Sequence, residues 1–201
     1  MDFIETTEAL EALYGTPSKG SQVKVAQELT PTYRQWIMAS KFCILSTVGP
    51  DGTDGTPRGD DGPVVTELDA RTLAMPDWSG NNRIDSLRNI VQDPRASLMF
   101  MVPGSDNVVR VNGEARITAD DAFCARFEKS GKRPRTVLIF RIHEIYVQCA
   151  KALMRSKMWS AEDQSGELPT IGDILKEMSS GEFGGEDYDR AWPERAERTL
   201  W

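Results

Sequence analysis

The apolar positions of this chain fall into two rhythms, one helical and one alternating. Near the start, Phe3, Leu10, Leu13 and Tyr14 share a loose helical face that ends at Gly15, which predicts a short amphipathic helix. The polar TPSKGSQ separates it from VAQEL, read as the start of a second helix. Thr30 as N-cap and Pro31 in the first helical position predict a third over PTYRQWIMAS, with Trp36, Ile37 and Met38 as its buried part. From Lys41 the period shortens. KFCILSTVG reads as a strand closed by the turn Gly-Pro-Asp-Gly, and GPVVTELD and TLAMP as two more strands joined at Asp69-Ala70-Arg71.

The helical period returns in NNRIDSLRNIVQD, where Ile84, Leu87, Ile90 and Val91 recur at helical spacing before Asp93-Pro94. RASLMFMVPG and NVVRVNGEARI then read as a strand pair. TADDAFCARFEK is a helix capped by Thr118, TVLIFRIHEIYVQC the longest strand, and AKALMRSKMW a short cationic helix. About six strands joined largely by tight turns, with short helices between them, lack the strand–helix alternation of a parallel sheet. The pattern predicts a mainly β (α+β) fold, a small antiparallel barrel with helices at its ends. Three regions follow: a helical segment over 1–40 packed on the barrel, the barrel over 41–160, and an acidic extension over 161–201 that wraps the body or meets a partner.

Charge sharpens this division. Residues 161–201 hold 11 acidic and 4 basic side chains, whereas residues 1–160 hold 20 of each, so the net charge of −7 belongs to the extension. An acidic chain without a basic block is a poor nucleic-acid binder. No stretch approaches the ~18 apolar residues of a membrane span, and the acidic start MDFIETTEAL lacks the form of a secretion signal. Three widely spaced cysteines, Cys43, Cys124 and Cys149, suit reduced thiols, so a cytoplasmic protein is expected. The single histidine, His143, removes most metal and triad chemistry and reads as a hydrogen-bonded structural side chain. GPDGTDG lacks the Gly-Lys-Ser/Thr end of a nucleotide loop, and DGTDGTPRGDDG lacks the closing glutamate of a calcium loop; both read as turns.

Candidate chemistry begins at Asn81-Asn82-Arg83. Aspartate or glutamate would suit a helix start better, so these residues imply an anion bound there, with the Ser86 hydroxyl one turn on. The alternative is a surface helix with an untidy cap. Arg58, beside Pro57, and Arg110, amid valines, either face solvent or reach the same anion.

The order "TPRGD", "LAMPDWSGNNRIDSLRNIVQDPRASLMFMVPG", "VVRVNGEARI", with the later "QCAKALMRSKMW", resembles the pyridoxamine 5′-phosphate oxidase-like flavoproteins, and in particular a branch of FMN-binding proteins, over roughly residues 30–160. The resemblance implies a split β-barrel and a homodimer with FMN between subunits. It implies that Asn82, Arg83 and Ser86 meet the FMN phosphate, and that Arg58 lies near the phosphate or the ring. Met75 and Pro76 end the strand facing the isoalloxazine, and Arg110 reaches the phosphate or the ring's carbonyl edge. Lys151, Arg155, Ser156 and Trp159 come from the facing subunit, the first, second and fourth on nearly one helical face. The Ser-Arg-Lys phosphate motif of the pyridoxamine oxidases is replaced by GNNR. Their C-terminal arginine and histidine lack a counterpart in AWPERAERTLW, which speaks against pyridoxamine 5′-phosphate as substrate. The expected function is an FMN-dependent oxidoreductase acting on a small molecule. The alternative is a non-catalytic protein that binds flavin, haem or a deazaflavin.

Overall fold

The computed structural model describes residues 1–201. Its strands are β1 (Phe42–Gly49), β2 (Gly52–Gly59), β3 (Thr66–Asp69), β4 (Thr72–Asp77), β5 (Arg95–Met101), β6 (Val108–Thr118) and β7 (Thr136–Gln148). They form one seven-stranded sheet in the order β2-β1-β5-β6-β7-β4-β3. All pairings are antiparallel. No ladder joins β2 to β3, so the barrel is split along that seam. The helices are α1 (Thr7–Tyr14), α2 (Lys19–Val23), α3 (Pro31–Met38), α4 (Asp85–Gln92), α5 (Asp121–Cys124), α6 (Lys151–Ser156), α7 (Ile171–Met178), α8 (Glu186–Arg190) and α9 (Trp192–Thr199).

Alternation along the strands builds the core. Cys43, Leu45, Leu98, Phe100, Val109, Val111, Phe140 and Leu73 point inward into a single cluster of 18 buried residues, to which α3 adds Ile37 and α4 adds Ile90. Burying one such large side chain contributes about 1.5–3 kcal/mol, so the barrel interior is the main source of stability. The β6–β7 ladder shifts register between Asn112 and Gly113. A Cβ on Gly113 would stand 1.9 Å from the Arg141 carbonyl oxygen, so only glycine lets the two backbones approach there.

Several local expectations hold for physical reasons visible here. Thr30 caps α3 by accepting the Tyr33 N–H at 3.3 Å, and Ile37 is fully buried. Gly15 ends α1 at φ 71°. Others are corrected. GTDGTPRG, read as turns, is strand β2: its in-register partner β1 supplies the hydrogen bonds, and as an edge strand it tolerates Pro57. Ser18 caps α2 within the polar TPSKGSQ, whereas VAQEL is not helical, and its Ala26 bridges Ile145 of β7. The cap of α5 is Asp120, whose carboxylate accepts the Phe123 N–H at 2.7 Å, while Thr118 accepts the Asp120 N–H.

Two further corrections touch function. α6 stops at Lys157, which is left-handed at φ 52°, so Trp159 lies beyond the helix and not on its face. His143 is half exposed, with Nε2 4.0 Å from a Glu114 carboxylate oxygen, on the outward side of β7 where Ile142 and Ile145 face in. The apolar face of α1 is also outward: Phe3, Leu13 and Tyr14 are exposed and no α1 residue is buried.

Candidate functional site

The seam of the barrel opens into a cleft of about 1080 Å³. Its walls are the edge of β2 from Asp54 to Gly59 with Asp60 just beyond it, the end of β4 from Met75 to Asp77, and the loop 78–84 leading into α4. The loop 132–135 before β7, with Leu200 and Trp201, forms the remaining wall. β3 pairs with β4 only as far as Ala74, so the backbone of Met75, Pro76 and Asp77 has no neighbour on that side. A proline is tolerated at position 76 for this reason.

Two links tie the seam across the cleft. Arg58 of β2 forms an ion pair with Asp77 of β4, each side chain about one-fifth exposed. The indole N–H of Trp78 donates to Asp60 Oδ2 at 2.9 Å. Asp60 also takes the Lys129 ammonium, which bridges to Asp61. Burial pushes the Asp60 carboxyl up, but the Lys129, Gly62 N–H and Trp78 hydrogen bonds outweigh it and hold the group below its ordinary value. Burial also pushes the Cys43 thiol, opposite Arg58 in the β1–β2 register, up to about 12, although the guanidinium pulls the other way.

The loop into α4 differs from a helix beginning at Asn81. The first helical residue is Asp85, and Ile84 stands at the N-cap with φ 54° and no side-chain cap. Asn82 is likewise left-handed at φ 60°. Left-handed backbone at a β-branched isoleucine is strained, and such strain gathers at functional loops. Arg83 Nε donates to Asp85 at 2.8 Å, and its N–H donates to Asn81 Oδ1 at 3.1 Å. Ser86 is buried and its hydroxyl donates to Asp54. The expected preference for amides over acid at this helix start therefore gives way to an aspartate in the first turn, already paired with Arg83.

Of the residues singled out in the sequence, the cleft gathers Arg58, Met75, Pro76, Asn82, Arg83 and Ser86. Arg110 lies outside it, with its guanidinium 5.5 Å from the centroid of the Tyr146 ring. Lys151, Arg155, Ser156 and Trp159 also lie outside the cleft of their own subunit. The Trp159 indole donates to the Ser105 carbonyl at 2.8 Å, and the Ser156 hydroxyl to the Leu153 carbonyl at 3.0 Å.

The structure adds residues the sequence did not single out. Asp54, Asp77 and Trp78 line the cleft, as do Lys132, Arg133 and Arg135. The run KRPR was a legible signal, a cationic cluster just before a strand. Arg133 is taken by Glu128 at 2.7 Å, whereas Arg135 donates to Asn82 Oδ1 at 3.3 Å and thereby ties the two loops. Two cleft atoms are buried without a hydrogen-bond partner: Arg58 Nε and Thr136 Oγ1. Buried polar atoms are rarely left so, and because both are closed to solvent a molecule in the cleft reaches them only once the side chains turn.

An open-seamed antiparallel barrel with a cleft along its seam, lined by charges of both signs, defines a split-barrel fold. The family model described as pyridoxamine 5′-phosphate oxidase matches residues 29–149, and the chain belongs to that family. No curated protein matches the sequence. Among solved structures, HupZ of Group A Streptococcus is similar at 17% identity and a TM-score of 0.48, covering 59% of this chain and 93% of that one. The general stress protein 26 of Bacillus anthracis is similar at 17% identity and 0.43, covering 57% and 88%. An FMN-binding protein of Syntrophomonas wolfei is similar at 17% and 0.45, covering 58% and 83%.

Proposed function

We propose that the seam cleft binds FMN and that the protein is a flavin-dependent oxidoreductase acting on a small molecule, as a homodimer. The observation that carries this reading is the gathering of Asn82, Arg83 and Arg135 at the uncapped start of α4, on the wall of a cleft large enough for a nucleotide. In this reading Asn82, Arg83 and Arg135 hold the phosphate beside the uncapped start of α4, where free N–H groups and the helix dipole favour an anion. Ser86 contributes its hydroxyl once Asp54 releases it. Arg58 and Thr136 hydrogen-bond the ring side, and Met75 and Pro76 lie along the ring. FMN, when bound, supplies hydride chemistry at its ring, while the protein orients it and sets its electrostatics.

The helix α6 belongs to the dimer part of the proposal. Lys151 and Arg155, four residues apart on α6, are both exposed, as are Ser156 and Trp159. In the homodimer these residues of the facing subunit, together with Arg110, close the cleft's open side. Soluble protein of this sequence is expected to work in the cytoplasm.

The testing variant is Thr136→Val, which removes the hydroxyl at constant shape. The cofactor-free protein should be as stable or slightly more so, because an unsatisfied buried hydroxyl disappears. FMN should bind about tenfold more weakly for one lost bond. Arg83→Ala should weaken FMN more, by a charge-assisted bond of ~1.5–3 kcal/mol. The purified protein should be yellow and bleach with NADH or NADPH under anaerobic conditions. Flavin inert to every donor would leave the carrier reading, and Arg83→Ala with unchanged FMN affinity would remove the carrying observation.

A further inference from the structure

The acidic extension carries a well-built helix with one face left bare. Along α7, Ile171, Ile174 and Met178 recur at helical spacing and form one stripe, 60%, 47% and 73% exposed. Another side of α7 is fixed. Thr170 and Asp173 cap its start reciprocally, the Gly172 N–H donates to Asp189 Oδ1 at 2.8 Å, and the Gly185 N–H donates to the Gly172 carbonyl at 2.7 Å. The stripe therefore has a set shape and no cover. An eight-residue helix does not stand alone in water and draws its stability from burying such a face. Through α8 and α9 this unit is tied to the cleft. The Trp201 ring meets Trp78 edge to face at 5.3 Å, the Lys129 ammonium lies 4.0 Å from the Trp201 centroid, and Lys132 Nζ donates to the Arg198 carbonyl at 2.7 Å.

We propose that the α7 stripe docks on α6 of a second copy of this chain. This rests on the homodimer set out above, in which α6 of the facing subunit closes the cleft whose wall the tail joins. α6 matches in both polarity and charge. Residues 151–159 hold three cations, Lys151, Arg155 and Lys157, and no acid. None of the three pairs with an acid of its own chain. Met154 and Met158 are exposed, and Leu153 is the one α6 side chain that is half-buried. Met154 stands about 60–100° round the helix from Lys151 and Arg155, so those two turn to the flavin while the flexible methionines meet α7. Opposite charge directs the pairing. Glu177 on α7 and Glu182 beyond it have no cationic partner, and the extension carries the whole net charge of −7. The same acids turn this face away from anionic lipid and nucleic acid. α1 also bares an apolar face, but it holds Glu8 and Glu11 and no cation, so it does not suit α7.

Cys149 is a native reporter for α6: it stands just before the helix and is exposed, whereas Cys43 and Cys124 are buried. Two differently tagged forms of the full chain are co-expressed. One is unchanged, and the other carries Cys149→Ser together with Ile171→Cys or Met178→Cys. α7 is about 12 Å long, so one of its ends lies near the facing Cys149 whichever way it crosses α6. A short bismaleimide should join the two forms through at least one of these positions. Leu13→Cys on α1, in the same Cys149→Ser background, should not join them. Ile171→Ser/Ile174→Ser, both at exposed positions, should leave the fold intact and weaken self-association by about tenfold, read by sedimentation equilibrium. Neither α7 position joined to the facing Cys149, a cross-link from α1 as strong as that from α7, or a loss of self-association below about threefold would overturn the proposal. A wild-type dimer that fails these tests loses only the α7 contact. A wild-type monomer loses the dimer reading as well.

Discussion

Arg58→Ala separates the structural from the ligand role of the seam. The Arg58–Asp77 pair joins β2 to β4, the two strand edges facing each other across the cleft, and its side chains are 18% and 19% exposed. Removing one partner of a fully buried pair costs about 3–5 kcal/mol, because the other charge is left without compensation. Asp77 keeps some water, so the expected loss falls at or just below that range, ~2–3 kcal/mol. For a chain of this length each kcal/mol moves the melting temperature by about 2–4 °C, so a fall of roughly 4–12 °C should follow. In urea, with a slope near ~2 kcal/mol/M, the midpoint should drop by about 1–1.5 M. Asp77→Asn should cost less, and the double variant Arg58→Ala/Asp77→Asn should recover part of the loss, giving a coupling energy of about 1–2 kcal/mol. The assay is urea unfolding of the cofactor-free protein followed by tryptophan fluorescence, repeated with excess FMN. Arg58→Ala should also lose most of the extra stability that FMN gives the wild type. A change below about 0.5 kcal/mol without FMN, or strictly additive single variants, would refute the idea that this pair ties the seam.

Two further outcomes are expected. Asp60 has a folded-state value below that of the unfolded chain, so its contribution is fully present above about pH 4 and is lost as pH falls through the folded value. Acid titration should therefore release Trp201 and Trp78 from the Lys129–Asp60 cluster, seen as a tryptophan fluorescence change below about pH 4 that Asp60→Asn removes. In the native protein one thiol should react rapidly with a disulfide reagent near pH 8: Cys149 is exposed, whereas Cys124 is buried and Cys43 is buried with its thiol pushed up to about 12. A second fast thiol would mean that the β1–β2 edge over Cys43, or α5 around Cys124, opens on the timescale of the reaction.

The sequence by itself determined what is local or periodic. Alternation in FCILSTVG, RASLMFM and TVLIFRIHEIYVQ marked strands β1, β5 and β7, because one face of each must be buried. Thr30-Pro31 marked the start of α3, because a cap is a contact between near neighbours. The seam residues Arg58, Met75, Pro76, Asn82, Arg83 and Ser86 were also legible, through the motif order of a known family. β2 was not legible: GTDGTPRG has no apolar alternation, and its strand character is supplied by the ladder with β1. The same holds for the start of α4. Asp85 and the left-handed Ile84, rather than Asn81, set the helix boundary, a matter of backbone angles that composition does not report.

Only the tertiary structure decided which distant side chains meet. Asp54 with Ser86, Arg58 with Asp77, Asp60 with Lys129, and Trp78 with Trp201 are each brought together by the curl of the sheet and the return of the tail. Contacts of such long sequence separation leave no periodic trace, since each residue alone is an ordinary turn aspartate or a terminal tryptophan. The chain wrote the strands and the caps. The curl of the open sheet brought two of its edges face to face across the seam.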